Sequence, residues 1–331
     1  KLDYKKSTYS YNHEEYLEDL LNPYINTYMA EATHTAVEHN KNKLIIKRKK
    51  RQTDDTENIE IIYNKTAFGN GSYNTIHAGI LKTAINGYSE EDNIVVKISK
   101  SNEDFINNFI ELFIHCILSI YQHRILGIKG STLIAPIILI SYDHRTKVYY
   151  TIMEKLDGDL AGLTRRSSTP QQVLQDAIFY QTCGLVALQK DFEFMHNDNH
   201  LQNLFYKKDG DKIKFFIADF GFTRIKINGK ILGVDQGLLR DMPLYYNKRK
   251  DLLQLAYAGY YTFRDTLNST FMSNFMMGDI VEYINKYRRR LDSSAYIFYY
   301  KYIYQPSDPS NITAEKWKRF EPKNMIELFE T

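Results

Sequence analysis

The sequence predicts an α+β protein of two lobes, an antiparallel sheet carrying one helix and then a mainly helical region. Three observations predict it. Four short apolar runs, Ile59–Tyr63, Thr75–Ala78, Asn93–Ile98 and Tyr149–Leu156, fall in the first half and have strand length. One long amphipathic segment, Asn102–Gln122, interrupts them, and helical spacing prevails beyond residue 156. With 331 residues the chain can enclose two separate cores. The boundaries read from these runs are an N-terminal extension 1–43, a small lobe 44–155 and a large lobe 156–331.

In the extension, Glu14–Leu21 has the pattern of a short helix ended near Asn22-Pro23. The basic run Lys47-Arg48-Lys49-Lys50-Arg51 is read as a solvated loop flank in preference to a nuclear localisation signal or an anion reader. Next, Phe68-Gly69-Asn70-Gly71-Ser72-Tyr73-Asn74 lies between two strand candidates, at a hairpin tip where Gly69 and Gly71 let backbone N–H groups approach a phosphate. Lys97 interrupts the apolar run Asn93–Ile98, and a lysine buried in a strand needs a partner. The following helix has Phe105, Phe109, Leu112, Phe113, Cys116 and Ile120 at three- and four-residue spacing, with Glu111 beside that stripe. Leu133–Tyr142 reads as a core strand, too short to span a membrane.

In the large lobe, Pro170–Lys190 predicts a helix that buries Val173, Leu174, Ala177, Ile178, Leu185 and Leu188. Leu204–Tyr206 and Ile213–Ile217 predict a hairpin leading from Asn203 to Asp219. Lys250–Leu255 opens another helix, with Asp251 either its N-cap or a holder of the preceding loop. Lys286-Tyr287-Arg288-Arg289-Arg290 reads as a solvated face, and Trp317 as the anchor of a terminal helix.

Composition narrows the partners. A net charge of +3 gives no global attraction to nucleic acid, which is not an expected partner. Twenty-seven tyrosines without a strong basic excess read as packing residues. Cys116 and Cys183 have no metal-ligand spacing and suit a reducing, intracellular setting.

The densest chemistry lies in His196-Asn197-Asp198-Asn199-His200-Leu201-Gln202-Asn203, followed by Ala218-Asp219-Phe220-Gly221. An Asp and an Asn five residues apart, then a second Asp after a hairpin, can orient a hydroxyl and offer hard oxygens to a metal. Each residue alone also reads as a turn Asp or a capping Asn. Together with the glycine loop, Lys97 and Glu111 in this order, they resemble the eukaryotic-like protein kinase superfamily in a divergent form. Abundant Asn, Ile, Lys and Tyr beside the His-x-Asp-x-His pattern looks like the kinases of large nucleocytoplasmic DNA viruses.

The resemblance implies a bilobal protein kinase-like fold that transfers the γ-phosphoryl group of ATP to serine or threonine of protein substrates, with Mg²⁺. It gives Asp198 the role of orienting the hydroxyl and taking its proton. Asn203 and Asp219 become metal ligands, and Lys97 the anchor of the α- and β-phosphates. Glu111 becomes the partner of Lys97, with Glu103 second, and His200 stands where serine/threonine kinases carry lysine. Gly69, Asn70, Gly71, Ser72 and Ile76 would cover the nucleotide. Met153 would be the gatekeeper, with Glu154 and Leu156 offering backbone groups to adenine. If viral, the setting would be host cytoplasm or virion, with a nuclear role for Lys47–Arg51 not favoured.

The departures are Asn74 for the third loop glycine, Asn197 for the arginine that binds a loop phosphate, and His200. Between Phe222 and Lys250 only Thr223, Tyr245 and Tyr246 can be phosphorylated, and no Ala-Pro-Glu follows. Activity without activation-loop phosphorylation is therefore expected. Two other readings stay open: a pseudokinase scaffold, and a small-molecule phosphotransferase of the aminoglycoside or choline kinase type, which has a similar His-x-Asp-x-His-x-x-Asn pattern.

Overall fold

The computed structural model describes residues 36–40, 42–49, 56–70, 74–100, 105–125, 133–143, 145–227, 229–233, 246, 248 and 250–263. Among the described residues the protein is α+β, with a large antiparallel sheet and few helices. Contacts divide it into two compact units, with boundaries at Tyr121/Gln122, Ile134/Ala135 and Leu156/Asp157.

The N-terminal unit is built on an eight-stranded sheet. Its strands are β1 (Ala36–Asn40), β2 (Lys43–Lys49), β3 (Thr56–Tyr63), β4 (Gly69–Asn70), β5 (Asn74–Leu81) and β6 (Asn93–Ser99), to which β8 (Ile137–Asp143) and β9 (Val148–Glu154) are added later in the chain. The order is β1-β2-β3-β5-β6-β9-β8, with β4 paired to β5. Alternation sets its buried face: Leu44 and Ile46 on β2, Ile59 and Ile61 on β3, Ile94 and Val96 on β6 and Ile152 on β9 form one apolar cluster. Gly79 permits the close approach of β5 to β3, since a Cβ there would lie 2.9 Å from the Ile62 carbonyl oxygen. Helix α1 (Phe105–Ile125) buries Leu112, Phe113, Ile114, Cys116, Ile117 and Leu118. Phe109 contacts both the Phe113 and Tyr149 rings.

Three expectations change here. The extension does not stop short of the sheet, because Ala36–Asn40 pairs with Lys43–Lys47 across a tight turn. The basic run is not a loop flank: Lys47–Lys49 continues β2 and pairs with Thr56–Asn58, while Lys50 and Arg51 lie outside the described residues. Leu133–Tyr142 is not one strand, because Pro136 has no N–H for a ladder. It splits into β7 (Leu133–Ile134), which joins a sheet of the C-terminal unit, and β8.

The C-terminal unit has a four-stranded sheet, β10 (Gly158–Asp159), β11 (Leu204–Asp209), β12 (Lys212–Ile217) and β7, in which β7 runs parallel to β12. Gly210, at φ 60, supplies the positive φ that a two-residue hairpin turn needs. Helix α2 (Leu160–Arg166) is capped by Asp159, whose carboxylate accepts the Gly162 N–H at 2.6 Å. Helix α3 (Pro170–Phe192) begins on Pro170, whose missing N–H costs nothing in the first turn. It ends at Glu193 in the left-handed region, φ 44. A second hairpin, β13 (Arg224–Ile227) with β14 (Lys230–Gly233), follows Asp219, and helix α4 (Lys250–Phe263) comes last among the described elements. The segments 14–21, 286–290 and 314–320, with Glu103, Gly71, Ser72 and Tyr245, lie outside the described residues.

Among the described residues no helix is long and apolar enough to cross a membrane.

Candidate active site

The residues singled out by sequence form one group in each unit. In the N-terminal unit, Lys97 is flanked across the sheet by Ile76 and Thr151. Val96 faces the apolar cluster, so alternation sends Lys97 to the opposite face. There its ammonium pairs directly with the Glu111 carboxylate of α1, the two side chains being 18% and 11% exposed. Removing either partner would leave a charge in partial burial, at a cost of about 3–5 kcal/mol if burial were complete. A small polar cleft around this pair takes in Asn74, Ser99, Asn108 and His115. His115 donates Nε2–H to the Ala135 carbonyl at 2.7 Å, which ties α1 to the chain entering β8.

Gly69 and Asn70 pair with Ile76 and Thr75. A Cβ at Gly69 would lie 3.2 Å from two Ile76 carbons, a tight contact that the Ile76 side chain would have to relieve. Met153 is half-buried on β9 between Val95 and Ile137. Glu154 has given its N–H to the Pro136 carbonyl at 3.1 Å, and its carboxylate accepts the Tyr88 hydroxyl at 3.2 Å. Leu156 closes the unit.

In the C-terminal unit, the loop His196–Asn203 has little ladder pairing, and side chains take over its backbone groups. Asp251, fully buried near the start of α4, accepts the His196 N–H at 2.9 Å and the Asn197 N–H at 3.1 Å. Gln254, one turn on, accepts the Asn199 N–H at 3.1 Å and donates to the Asn197 carbonyl at 2.9 Å. Asn199 exchanges amide hydrogen bonds with Gln181 of α3 and donates to the Asp251 carbonyl at 2.6 Å. Both N–H groups of the Asn203 amide go to Asp198, to its carbonyl at 2.9 Å and its carboxylate at 3.1 Å. His200 approaches the same carboxylate oxygen with Nε2 at 3.5 Å.

The second acidic residue is held from the same loop. Ala218 donates its N–H to the Asn203 carbonyl at 3.1 Å and accepts His196 Nε2–H at 3.0 Å. Asp219, next in the chain, takes φ 64, a conformation that costs about 1–3 kcal/mol for most residues but is least disfavoured for Asp and Asn. Phe220 behind it is completely buried beside the His196 ring.

Burial and neighbouring charges shift the titrating groups of the loop. Burial alone would raise the Asp198 carboxyl, but the His200 hydrogen bond and charge, His196 and Asn203 outweigh it and hold it below its ordinary value. Burial would likewise lower His200, and Asp198, Asp219 and Asp159 reverse this and raise it. A contrary pull comes from the Gln202 N–H, which donates to His200 Nδ1 at 3.2 Å and favours the neutral ring. The carboxylates prevail because that contact is long and exposed, so water can replace it. Burial drives Lys250 down to about 8 against the pull of Asp251 and Asp198. Burial likewise pushes the Asp251 carboxyl up, against His196, its two N–H donors and Lys250.

The donor set suits a hard cation that keeps ligands of its own. With both Asn203 N–H groups committed to Asp198, the amide oxygen is left for a metal, alongside the Asp219 carboxylate. Among the described residues no three His, Cys, Asp or Glu side chains gather into a cage. Mg²⁺ bound with a nucleotide needs none, since one or two protein carboxylates, water and phosphate oxygens suffice.

Sequence reading did not pick out Lys250, Gln254, Gln181, Asn199 or Glu193 as parts of this arrangement. Two had a legible signal: Lys250 stands at a helix N-terminus, where the dipole disfavours a cation, and Gln181 interrupts the apolar stripe of α3. No known protein family and no curated protein matches this chain.

Proposed function

We propose that this protein is an ATP-dependent protein kinase of the divergent, bilobal kind, transferring the γ-phosphoryl group to serine or threonine without activation-loop phosphorylation. The observation that carries the reading is the Asp198–Asn203 clamp, in which one amide holds both the backbone and the carboxylate of the acidic residue. A turn Asp with a merely capping Asn needs neither the second bond nor the buried Asp251 beneath the loop. Phosphoryl transfer demands little covalent chemistry from the protein and much positioning and charge neutralisation. Asp198, kept ionised, aligns the acceptor hydroxyl and takes its proton as the oxygen bonds to the γ-phosphorus and ADP leaves. Asn203 and Asp219 would hold Mg²⁺, which neutralises phosphate charge when bound. Lys97, steadied by Glu111, anchors the α- and β-phosphates.

Independence from loop phosphorylation is supported by Thr223, which is fully buried, and by Tyr246, whose hydroxyl donates to the Gln189 carbonyl at 3.2 Å. The test is transfer from labelled Mg·ATP to generic basic and acidic proteins and to an aminoglycoside, with Asp198→Asn and Asp219→Ala alongside. Label on protein serine or threonine that both variants abolish is the expected result. Label on the small molecule alone would make the protein a small-molecule phosphotransferase. No transfer at all would favour a scaffold, and activity lost on phosphatase treatment would remove the phosphorylation-independent part.

A further inference from the structure

Asn197 occupies the place where loop-phosphorylated kinases carry arginine, and its amide is bonded at both ends. Lys250 Nζ lies 2.6 Å from its Oδ1, and its Nδ2 lies 2.8 Å from the Phe222 carbonyl. An ammonium only donates and a carbonyl only accepts, so no other amide orientation satisfies both neighbours. Asn197 and Lys250 are 1% and 3% exposed. The Asn197 backbone takes φ 68, which asparagine tolerates better than most residues, and its N–H and C=O are held by Asp251 and Gln254.

We propose that the Lys250–Asn197–Phe222 chain is a positioning device that fixes the segment Asp219–Thr223 against the catalytic loop with no phosphate attached. This rests on the kinase reading and names how the site is held ready. An arginine awaiting a phosphate leaves its charge to be satisfied later, whereas here the cation is internal and already bonded. No apolar residue of similar volume replaces Lys250, because the buried Asn197 Oδ1 would lose the donor that faces it. What Lys250 contributes is the orientation of the Asn197 amide. Downstream, Glu193 extends the same arrangement. Its carboxylate takes Lys226 at 2.6 Å and lies 3.7 Å from Arg224, so the cations just beyond the segment meet a carboxylate of the chain itself. Met195 and Arg224 also exchange backbone hydrogen bonds at 2.9 and 2.8 Å, fastening β13 to the residues before the loop.

The experiment compares phosphatase-treated wild type with Lys250→Met and Asn197→Asp, measuring thermal unfolding, kcat and KM for ATP. Lys250→Met removes the buried charge, and Asn197→Asp keeps the acceptor for Lys250 while turning the Phe222 contact into oxygen against oxygen. The expected result is a Lys250→Met protein that folds with an unfolding temperature below that of wild type, with kcat down about tenfold in both variants and KM for ATP within about twofold. That kcat loss corresponds to about 1.4 kcal/mol at the transition state. Folded variants with unchanged kcat would overturn the proposal, as would kcat and KM moving together with lost stability. Should Lys250→Met fail to fold, Asn197→Asp decides by the same criteria. A wild type that transfers nothing would instead overturn the kinase reading and this inference with it.

Discussion

The Lys97–Glu111 pair and the His196–Asn203 loop solve the same problem by different means. On β6 the ladder already satisfies the backbone, so one ion pair is enough to place the ammonium. The loop has no such ladder, and Asp251, Gln254, Gln181 and Asn203 supply its hydrogen bonds from side chains. The difference teaches that an anchor for charge can be added to a regular element, whereas a carboxylate placed in irregular backbone needs a network beneath it. Networks of buried polar groups are cooperative, so the two regions differ in how mutations combine.

The largest effect expected is at the tip of that network. Asp198→Asn should lower kcat by about 10²–10⁴-fold, the usual worth of a general base, with KM for ATP nearly unchanged. Asp251→Ala comes next, because it strips the acceptor from two buried N–H groups at once. A stability loss of about 2–5 kcal/mol is expected from two unsatisfied donors, read by denaturant unfolding. The comparison sharpens in the double variant with Gln254→Ala, whose losses should fall well short of additive because both side chains hold Asn197. Additive losses would mean that the loop is held by independent contacts and that the contrast with the strand is false.

This contrast also explains what the sequence made legible. The strands from Ile59 to Ile98 and the helix from Pro170 carry their own periodicity, so β3, β5, β6 and α3 were readable from pattern. The spacing of Asp198, Asn203 and Asp219 was equally visible, because a short loop and a hairpin fix which residues can meet. Lys250, Gln254 and Gln181 were not, since their partners lie 18 to 57 residues away in the chain and a polar residue on a helix announces no partner. The β1–β2 hairpin was missed for a different reason. Ala36–Asn40 is short and polar, and strand pairing with Lys43–Lys47 defines it better than any apolar pattern.

The strand-borne anchor should respond more simply. On the proposed kinase reading Lys97→Met would remove one charge-assisted contact to phosphate, worth about 1.5–3 kcal/mol, and should weaken nucleotide binding or lower kcat/KM by about 10–100-fold. Glu111→Gln leaves the lysine in place with a neutral acceptor and should cost less. The double variant should resemble Lys97→Met alone, because Glu111 acts through the lysine it steadies. Calorimetry with Mg·ATP reads the binding, and a Glu111→Gln loss larger than that of Lys97→Met would break this account.

The smallest effect expected is the pH response of His200, where the two kinds of support meet in one side chain. Its folded value is raised, so its contribution to stability is complete below the unfolded value, about 6.5, and is lost as pH rises through the folded value. Asp198 is lowered, so its contribution is present above about 3.9 and is lost as pH falls through the folded value. Both contributions are therefore in place from about pH 4 to about 6.5, with His200 charged beside an ionised Asp198. Bound phosphate would favour the imidazolium further, so kcat should hold or rise as pH falls from about 8 towards about 6.5. His200→Lys keeps a positive charge throughout that range and should flatten the profile. The Gln202 N–H works in the opposite sense, because the ring must release it to accept a second proton. If that bond governs, the wild-type and His200→Lys profiles will superimpose, and His200 belongs with the residues that shape the loop instead of those that answer to the phosphate.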